Sequence, residues 1–265
     1  MAKTTKPQHP VQATSGLEAD IKALSVTRPG DNNRRAYVGP PAQYDFMGAT
    51  QFNLLTLLGL REEHRVIDIG CGSLRAGRYL IQYLMPECYT GIEPNTWLWK
   101  EAIKTEIGTD LIALKQPLFL EEDDFRMRGA APGSADYIVA QSIYSHTGSA
   151  LFQTSIEAAA RCLAPSGQML FTTIIPGDKG SQSMPKGTEY EGWLYPKCLS
   201  FEADDVMRAC KMAGLHVQQL KWFHPRQTWF RATLDEGLQM SPEMIDKLGT
   251  GRPLFDNRFP DPNAE

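Results

Sequence analysis

Hydrophobic and polar positions along the chain follow two alternating patterns. Short apolar runs predict strands at residues 65–69, 89–93, 117–120, 136–140 and 168–175. Apolar residues at helical spacing predict helices at residues 45–58, 76–85, 95–107, 151–163 and 201–213. Strands that alternate with helices in this way predict a parallel sheet with helices on both of its faces.

Residues that favour the ends of helices and turns support these boundaries. Asp45 and Asn95 are expected to cap the N-termini of two of the helices. Gly59 and Pro86 are expected to end the helices that precede them. A turn is expected at residues 165–167, Pro-Ser-Gly, before the strand at 168–175.

The C-terminal part predicts a different connection. Strands are expected at residues 215–223 and 228–234, and the link of residues 224–227 is too short for a crossover helix. The two strands should therefore form an antiparallel hairpin, which completes a mostly parallel seven-stranded sheet. Ser241 is expected to begin one more short helix.

The chain divides into three regions by composition. Residues 1–35 are a polar tail with one short helix expected at 16–24; the tail is either a disordered leader or a segment that orders over an active site. Residues 36–234 hold the predicted sheet. Residues 235–265 form a C-terminal helix and an irregular tail.

Composition and charge exclude several classes of protein. The chain has 265 residues, of which 42% are hydrophobic and 22% charged, as in ordinary globular proteins. Its net charge of −4 disfavours broad electrostatic binding of nucleic acid or anionic membrane. No run reaches the length of a membrane span, and the N-terminus lacks the apolar core of a secretory signal. The five cysteines form no CxxC pair, so we expect neither a zinc site nor a disulfide framework, and a cytoplasmic location.

The turn after the first strand carries the candidate chemistry. Gly70 and Gly72 allow positive φ and a close approach of a ligand to the main chain. A dinucleotide fingerprint would need a third glycine where Leu74 and Arg75 stand. Asp68 would repel a pyrophosphate, and it suits a ligand with a cationic amino-acid portion instead.

Five motifs in order resemble the class I S-adenosylmethionine-dependent methyltransferases. The resemblance covers about residues 43–234 and implies a Rossmann-like three-layer α/β sandwich, with 36–234 as the methyltransferase domain. The matching segments are Asp68-x-Gly70-x-Gly72, Gly91-Ile92-Glu93, residues 121–125 (EEDDF), residues 135–141 (ADYIVAQ) and residues 159–170.

The resemblance implies S-adenosyl-L-methionine as cofactor and S-adenosyl-L-homocysteine as product. Gly70, Cys71 and Gly72 would let the backbone pass under the cofactor, and Asp68 would lie near its methionine end.

Four further positions complete the cofactor site that the resemblance implies. Glu93 would accept hydrogen bonds from the ribose hydroxyls. Asp123 or Asp124 would bind the adenine amino group, with Phe125 beside the ring. Gln141 would line the methionine side at the end of the fourth strand.

His146 is the candidate catalytic base. It follows the fourth strand, near the expected position of the transferred methyl group, and an imidazole accepts protons well at neutral pH. Two other roles remain open, namely capping the helix near Thr147 or shaping the substrate pocket.

The sequence favours a small-molecule acceptor, most simply methylated on oxygen. Residues 140–144 lack the Asn/Asp-Pro-Pro-aromatic motif of amino-methylating enzymes, and no cysteine follows a proline as in cytosine C5 enzymes. Asp178 is the one carboxylate shortly after the fifth strand, so no metal is expected. Aromatic residues in 37–44 and 190–195 are expected to cover the pocket or to anchor loops to the core.

Other functions remain open at this stage. The chain could be a catalytically silent cofactor-binding partner or regulator of the same fold, or a nicotinamide-dependent oxidoreductase, against which the missing third glycine counts. Arg226 and Arg231 could pair an acidic group of a substrate or lie on the surface. The sequence allows a homodimer.

Overall fold

The structure is a computed structural model that describes residues 30–251. The helix expected at residues 16–24 lies outside the described residues, as do most of the expected N-terminal tail and the end of the C-terminal tail.

One seven-stranded sheet organises the described residues. Its strands are β1 (Val66–Ile69), β2 (Tyr89–Ile92), β3 (Leu118–Leu120), β4 (Ala135–Ala140), β5 (Leu163–Thr173), β6 (His216–Leu220) and β7 (Thr228–Thr233). The strand order is β3-β2-β1-β4-β5-β7-β6. The first five strands pair in parallel, and β7 runs antiparallel to both β5 and β6. The predicted parallel sheet with an antiparallel hairpin is confirmed.

Helices cover both faces of this sheet. They are α1 (Arg34–Tyr37), α2 (Tyr44–Leu57), α3 (Gly77–Tyr83), α4 (Thr96–Ala102), α5 (Thr109–Lys115), α6 (Ser149–Cys162), α7 (Ala203–Met212) and α8 (Pro242–Gly249). On one face Phe152 of α6 and Val206 of α7 pack with Ile67. On the other, Leu54 of α2 and Leu80 of α3 pack into a second core. These layers form the predicted Rossmann-like three-layer sandwich.

Of the two predicted helix caps, Asp45 is wrong, and Asn95 occupies the N-cap position without a side-chain capping hydrogen bond. Asp45 lies in the first turn of α2 and pairs with Arg78 at 2.5 Å, while Gln43 precedes the helix without a side-chain cap. Asn95 does precede α4, but its side-chain amide donates to Glu93 at 2.9 Å. In both cases a nearby charged group competes successfully for the side chain that could have capped the helix.

Three other elements differ from the sequence prediction. Residues 165–167 form no separate turn; they belong to β5, whose pairing with β4 shifts register between Ala135 and Tyr137. α4 ends at Ala102 and continues as a π-helical turn, Ile103–Ile107. α5 was not predicted, because it buries no residue and so has no marked apolar face in the sequence.

The direction of the strands brings several loops to one edge of the sheet. The parallel strands β1, β2 and β4 end at this edge. Because β6 is antiparallel to β7 and β7 to β5, β6 also ends there. The link between β6 and β7 therefore joins the loops that follow β1, β2 and β4.

We expect Gly48→Ala to destabilise the protein, although alanine normally stabilises a helix by about 1 kcal/mol relative to glycine. A Cβ atom at Gly48 of α2 would lie 2.2 Å from the carbonyl oxygen of Arg75, which is backbone and cannot rotate away. Overpacking of this kind costs about 1–3 kcal/mol in the free energy of unfolding. Urea unfolding measures it, with Asn53→Ala on the exposed side of α2 as control. A Gly48→Ala protein as stable as the control would contradict the contact.

Candidate active site

A cavity of about 530 Å³ lies at the carboxyl edge of the sheet. Its floor comes from the ends of β1, β2 and β4, and its sides from the loop after β3 and the link between β6 and β7. A crevice at this edge is where open α/β sheets bind their ligands. Its volume lies in the range of small-molecule sites.

Two aromatic segments line the cavity, which is one of the two roles that the sequence left open for them. One side is lined by Tyr37, Val38, Gly39, Pro40 and Gln43, and the other by Trp193, Tyr195 and Pro196. The Tyr195 hydroxyl donates a hydrogen bond to the Tyr37 carbonyl oxygen, and the two rings lie 5.3 Å apart. The two segments therefore meet above the cavity.

A cluster of charged side chains outside the cavity anchors the first covering segment, which begins at Tyr37. Glu106 accepts hydrogen bonds from Arg34 at 2.7 Å and from Arg35 of α1, and Arg78 of α3 lies 3.4 Å away. The Arg78 guanidinium also pairs with Asp45 of α2. These contacts hold α1 in place, and Tyr37 is the last residue of this helix.

The two glycines of the turn after β1 have different roles. Both have positive φ, +67° at Gly70 and +53° at Gly72. Gly70 and Cys71 line the cavity, and a Cβ on Gly70 would lie 2.1 Å from Ile143 Cδ1. Gly72 is not among the described residues that line the cavity, and the expectation that its backbone passes under a ligand stays a prediction. Its N–H donates to Glu93 Oε2 at 3.2 Å.

Glu93 is a buried carboxylate that lines the cavity and joins two loops. Besides the Gly72 N–H, it accepts the Asn95 N–H at 2.8 Å and the Asn95 side-chain amide at 2.9 Å. A carboxylate has about four lone-pair sites, so Oε2 retains capacity to accept from a ligand hydroxyl.

Asp68 is also buried and lines the cavity, where its Oδ2 accepts the Tyr89 hydroxyl at 2.8 Å. Burial raises the pKa of Asp68 to about 7, although the hydrogen bond from Tyr89 and the charge of Arg75 act in the opposite direction. A cationic group in the cavity would favour the ionised form of this carboxyl.

The structure separates the two acidic candidates after β3. Asp123 lines the cavity together with Phe125, whose ring lies 6.1 Å from that of Trp193. Asp124 is held away from the cavity by ion pairs with Arg126 and Arg128. Of the two alternatives, the geometry therefore favours Asp123.

Gln141 directly follows β4, and its buried side chain lines the cavity. Both amide atoms, Oε1 and Nε2, lack a hydrogen-bond partner in the described part of the chain. Burying an unpaired amide is costly, so this position suits a polar ligand with both donors and acceptors.

His146 lines the cavity as a neutral imidazole with a defined tautomer. Its Nδ1 lies 2.8 Å from the Lys197 carbonyl oxygen, which can only accept, so Nδ1 carries the proton and Nε2 the lone pair. Burial, reinforced by the charge of Arg226, lowers the pKa of His146 despite the hydrogen bond to Lys197. The ring does not cap α6, for which Gly148 occupies the N-cap position.

Several polar residues of the cavity wall were not predicted from the sequence, among them Arg75, Ser142, His224 and Gln227. His224 Nδ1 accepts the Arg226 N–H at 3.2 Å, so Nε2 carries the proton and donates to Ser142 Oγ at 3.3 Å. Burial, with the charges of Arg75 and Arg226, lowers the pKa of His224 to about 3. The predicted antiparallel hairpin was the one signal that could have placed the 224–227 link at this edge.

The two arginines proposed for an acidic substrate lie in different places. Arg226 lines the cavity, whereas Arg231 of β7 is buried in the protein and does not line the cavity. The Arg231 guanidinium donates to Gln168 Oε1 at 2.6 Å and to the Leu238 carbonyl oxygen at 2.8 Å, so it is structural.

Residues 30–251 also set limits on a metal site and on membrane-spanning helices. Within this range no group of three or more His, Cys, Asp or Glu side chains is arranged to hold a metal ion. No helix in the same range is both long enough and apolar enough to cross a membrane.

We expect Asp68→Asn to stabilise the protein increasingly as the pH rises from 4 to 8. The Asp68 carboxyl has a pKa of about 7 in the folded protein against an ordinary value of 3.8. Between these values the unfolded chain loses the proton and the folded protein keeps it. The free energy of unfolding of the wild type therefore falls by about 1.4 kcal/mol per pH unit as the pH rises. Asparagine has no such proton and still accepts from Tyr89. Urea unfolding at several pH values tests this, and a difference between variant and wild type that is independent of pH would contradict it.

The chain was compared with known proteins. Neither a protein-family model nor a curated protein matches the sequence. Among solved structures, the chain is similar to magnesium protoporphyrin IX methyltransferase of Synechocystis PCC 6803 with bound SAH (TM-score 0.53, 14% identity, 84% of this chain and 95% of that one). It is also similar to an O-methyltransferase family protein of Burkholderia thailandensis (TM-score 0.51, 18% identity, 74% of this chain and 59% of that one). The sheet order and these similarities show that the chain has the fold of the class I S-adenosylmethionine-dependent methyltransferases.

Proposed function

We propose that the protein is an S-adenosylmethionine-dependent methyltransferase that methylates a hydroxyl group of a small molecule. The observation that carries the proposal is one set of buried polar side chains, Asp68, Glu93 and Gln141, which line a single cavity beside the Gly70 turn. We assign the function to residues 36–234, which contain the sheet and all residues that line the cavity.

The residues present fit the proposed cofactor. Gln141 offers an amide with no partner among residues 30–251, and Glu93 has spare acceptor capacity for ribose hydroxyls. Asp68 offers a carboxyl whose ionised form a cationic methionine portion would favour. Asp123 and Phe125 stand on the wall where an adenine would be held. When bound, S-adenosylmethionine supplies a methyl group activated by a positive charge on sulfur.

His146 is proposed as the base for the hydroxyl acceptor. Its Nε2 lone pair accepts the proton that the hydroxyl loses, while the Lys197 carbonyl oxygen keeps the ring oriented through Nδ1. The rings of Trp193 and Tyr195 lie 5.8 and 4.8 Å from the imidazole and limit the access of water to it.

A catalytically silent cofactor-binding protein would share the cofactor residues but would not need the base. Calorimetric titration with S-adenosylmethionine, S-adenosylhomocysteine and NAD tests the cofactor class, and release of S-adenosylhomocysteine over a panel of hydroxylated acceptors tests transfer. We expect micromolar binding of the first two ligands and no comparable binding of NAD. Equal or tighter binding of NAD would overturn the assignment, and binding without transfer to any acceptor would favour the silent protein.

We expect Glu93→Gln to weaken the binding of S-adenosylhomocysteine by about 10- to 100-fold, because charge-assisted hydrogen bonds to the ribose would be lost. Glutamine is preferred to alanine because its amide oxygen can still accept the two hydrogen bonds from Asn95, whereas its NH2 group cannot accept the Gly72 N–H. Glu157→Gln on the exposed side of α6 is the matched control. A dissociation constant within twofold of the wild type would place the ribose elsewhere.

We expect His146→Gln to lower turnover by about 10²–10⁴-fold, the usual range for loss of a general base, with little change in cofactor affinity. Because the pKa of His146 is lowered, the wild-type rate should fall only below pH 6.5, as the imidazole becomes protonated. This acid limb should disappear in the variant. His216→Gln, on β6, is the control. Substantial turnover with the acid limb intact in the glutamine variant would remove His146 from the mechanism.

A further inference from the structure

The charges on the cavity wall are divided along the sheet. The carboxylates of Glu122, Asp123 and Glu93 follow β3 and β2, and Asp68 lies in β1, so this half of the cavity is acidic. Lys179, which follows β5, and Arg226, in the link between β6 and β7, line the opposite half. The end of β4, with Gln141 and His146, lies between the two halves.

The acidic half of the cavity also holds a cation, Arg75, whose charge is partly balanced within the protein. Arg75 donates to the Val38 carbonyl oxygen at 2.9 Å, and its charge favours the ionised form of Asp68, although burial raises the pKa of that carboxyl to about 7. Asp68 therefore gives the Arg75 charge a partial counter-charge on the same wall.

Arg226 on the other half has no such balance. Its guanidinium donates to the sulfur of Cys198 at 3.4 Å, and it forms no ion pair with any carboxylate in the described part of the chain. Its charge also lowers the pKa of both His146 and His224. Arg226 is therefore an unpaired cation whose field reaches the proposed base.

The backbone of Arg226 is held in place by a hydrogen-bond network on the cavity floor. Its N–H donates to His224, which donates in turn to Ser142 Oγ. Thr172 accepts the Ser142 N–H at 2.8 Å and donates to Gln227 Oε1 at 2.6 Å, which orients the Gln227 amide so that its Nε2 also donates to Ser142 Oγ. Both acceptor sites of the Ser142 hydroxyl are thereby used, and its proton remains available as a donor.

We propose that the methyl acceptor is a small hydroxylated aromatic acid whose carboxylate binds Arg226 on the basic half of the cavity. Guanidinium and carboxylate match in geometry and charge, and a carboxylate at this position supplies the anion that the basic half of the cavity lacks. The rings of Trp193 and Tyr195, which pack around His146, suit a flat apolar body between the carboxylate and the reacting hydroxyl. This inference rests on the proposed function and adds the chemical class of the acceptor.

Matched acceptors test the inference. The three hydroxybenzoates and the corresponding hydroxybenzamides differ in charge but hardly in shape. Their binding is measured by calorimetry in the presence of S-adenosylhomocysteine, and their methylation by release of that product from S-adenosylmethionine. We expect at least one acid to bind at least 10-fold more tightly than its amide. Arg226→Gln should weaken binding of that acid by about 10- to 100-fold and leave the amide unchanged.

A second variant controls for a general change of charge. Arg208→Gln removes the same charge from an exposed position on α7, remote from the cavity wall, and should leave the affinity for the acid unchanged. Equal binding of acids and amides, an acid affinity that does not depend on Arg226, or no binding of any member of the panel would overturn the inference. Acids that bind through Arg226 but are not methylated would support the carboxylate-binding subsite at Arg226 and count against the proposed transferase.

Discussion

The carboxylate of Glu93 is the contact on which the geometry of the site depends. It directly follows β2, yet it accepts N–H groups from the turn after β1 and from Asn95 at the start of α4. Two loops from neighbouring strands are thus fixed to each other by one buried anion rather than by apolar packing. Gly72 has a positive φ, and a Cβ atom there would lie 2.7 Å from Val38 Cγ1, so this position of the turn requires glycine. The N–H groups of Gly70 and Cys71 donate to the Ile92 carbonyl oxygen at 2.8 and 3.1 Å, which fixes the adjoining cavity wall to the same end of β2.

Sequence patterns predict the sheet and its order of elements because those features are local. The apolar run of β4 is buried along most of its length, and the glycines after β1 indicate a sharp turn by themselves. The choice between Asp123 and Asp124 is different. The chain takes positive φ at Phe125 and Met127, and no glycine marks this conformation in the sequence, so the directions of the two side chains could not be inferred.

The remaining wall residues depend on contacts between distant parts of the chain. Ser142 and His224 are 82 positions apart, and only the antiparallel return of β7 brings them within hydrogen-bond distance. Gly72 was correctly predicted to need positive φ, but its partner Glu93 follows another strand, so its structural role was not visible. Arg231 was misread for a related reason, since its burial depends on Gln168 of β5 and on Leu238.

The cluster around Glu106 has a consequence for how the cavity opens. The first covering segment is tied down outside the cavity largely by Arg34, Arg35 and Arg78 on one carboxylate, while the sheet beneath is held by buried apolar side chains. Ion pairs that are partly exposed weaken as ionic strength rises, and apolar packing does not. We therefore expect added salt to loosen this segment more than the sheet, but only modestly, because the Arg34 and Glu106 side chains are 11% and 12% exposed and partly buried pairs are screened less than exposed ones.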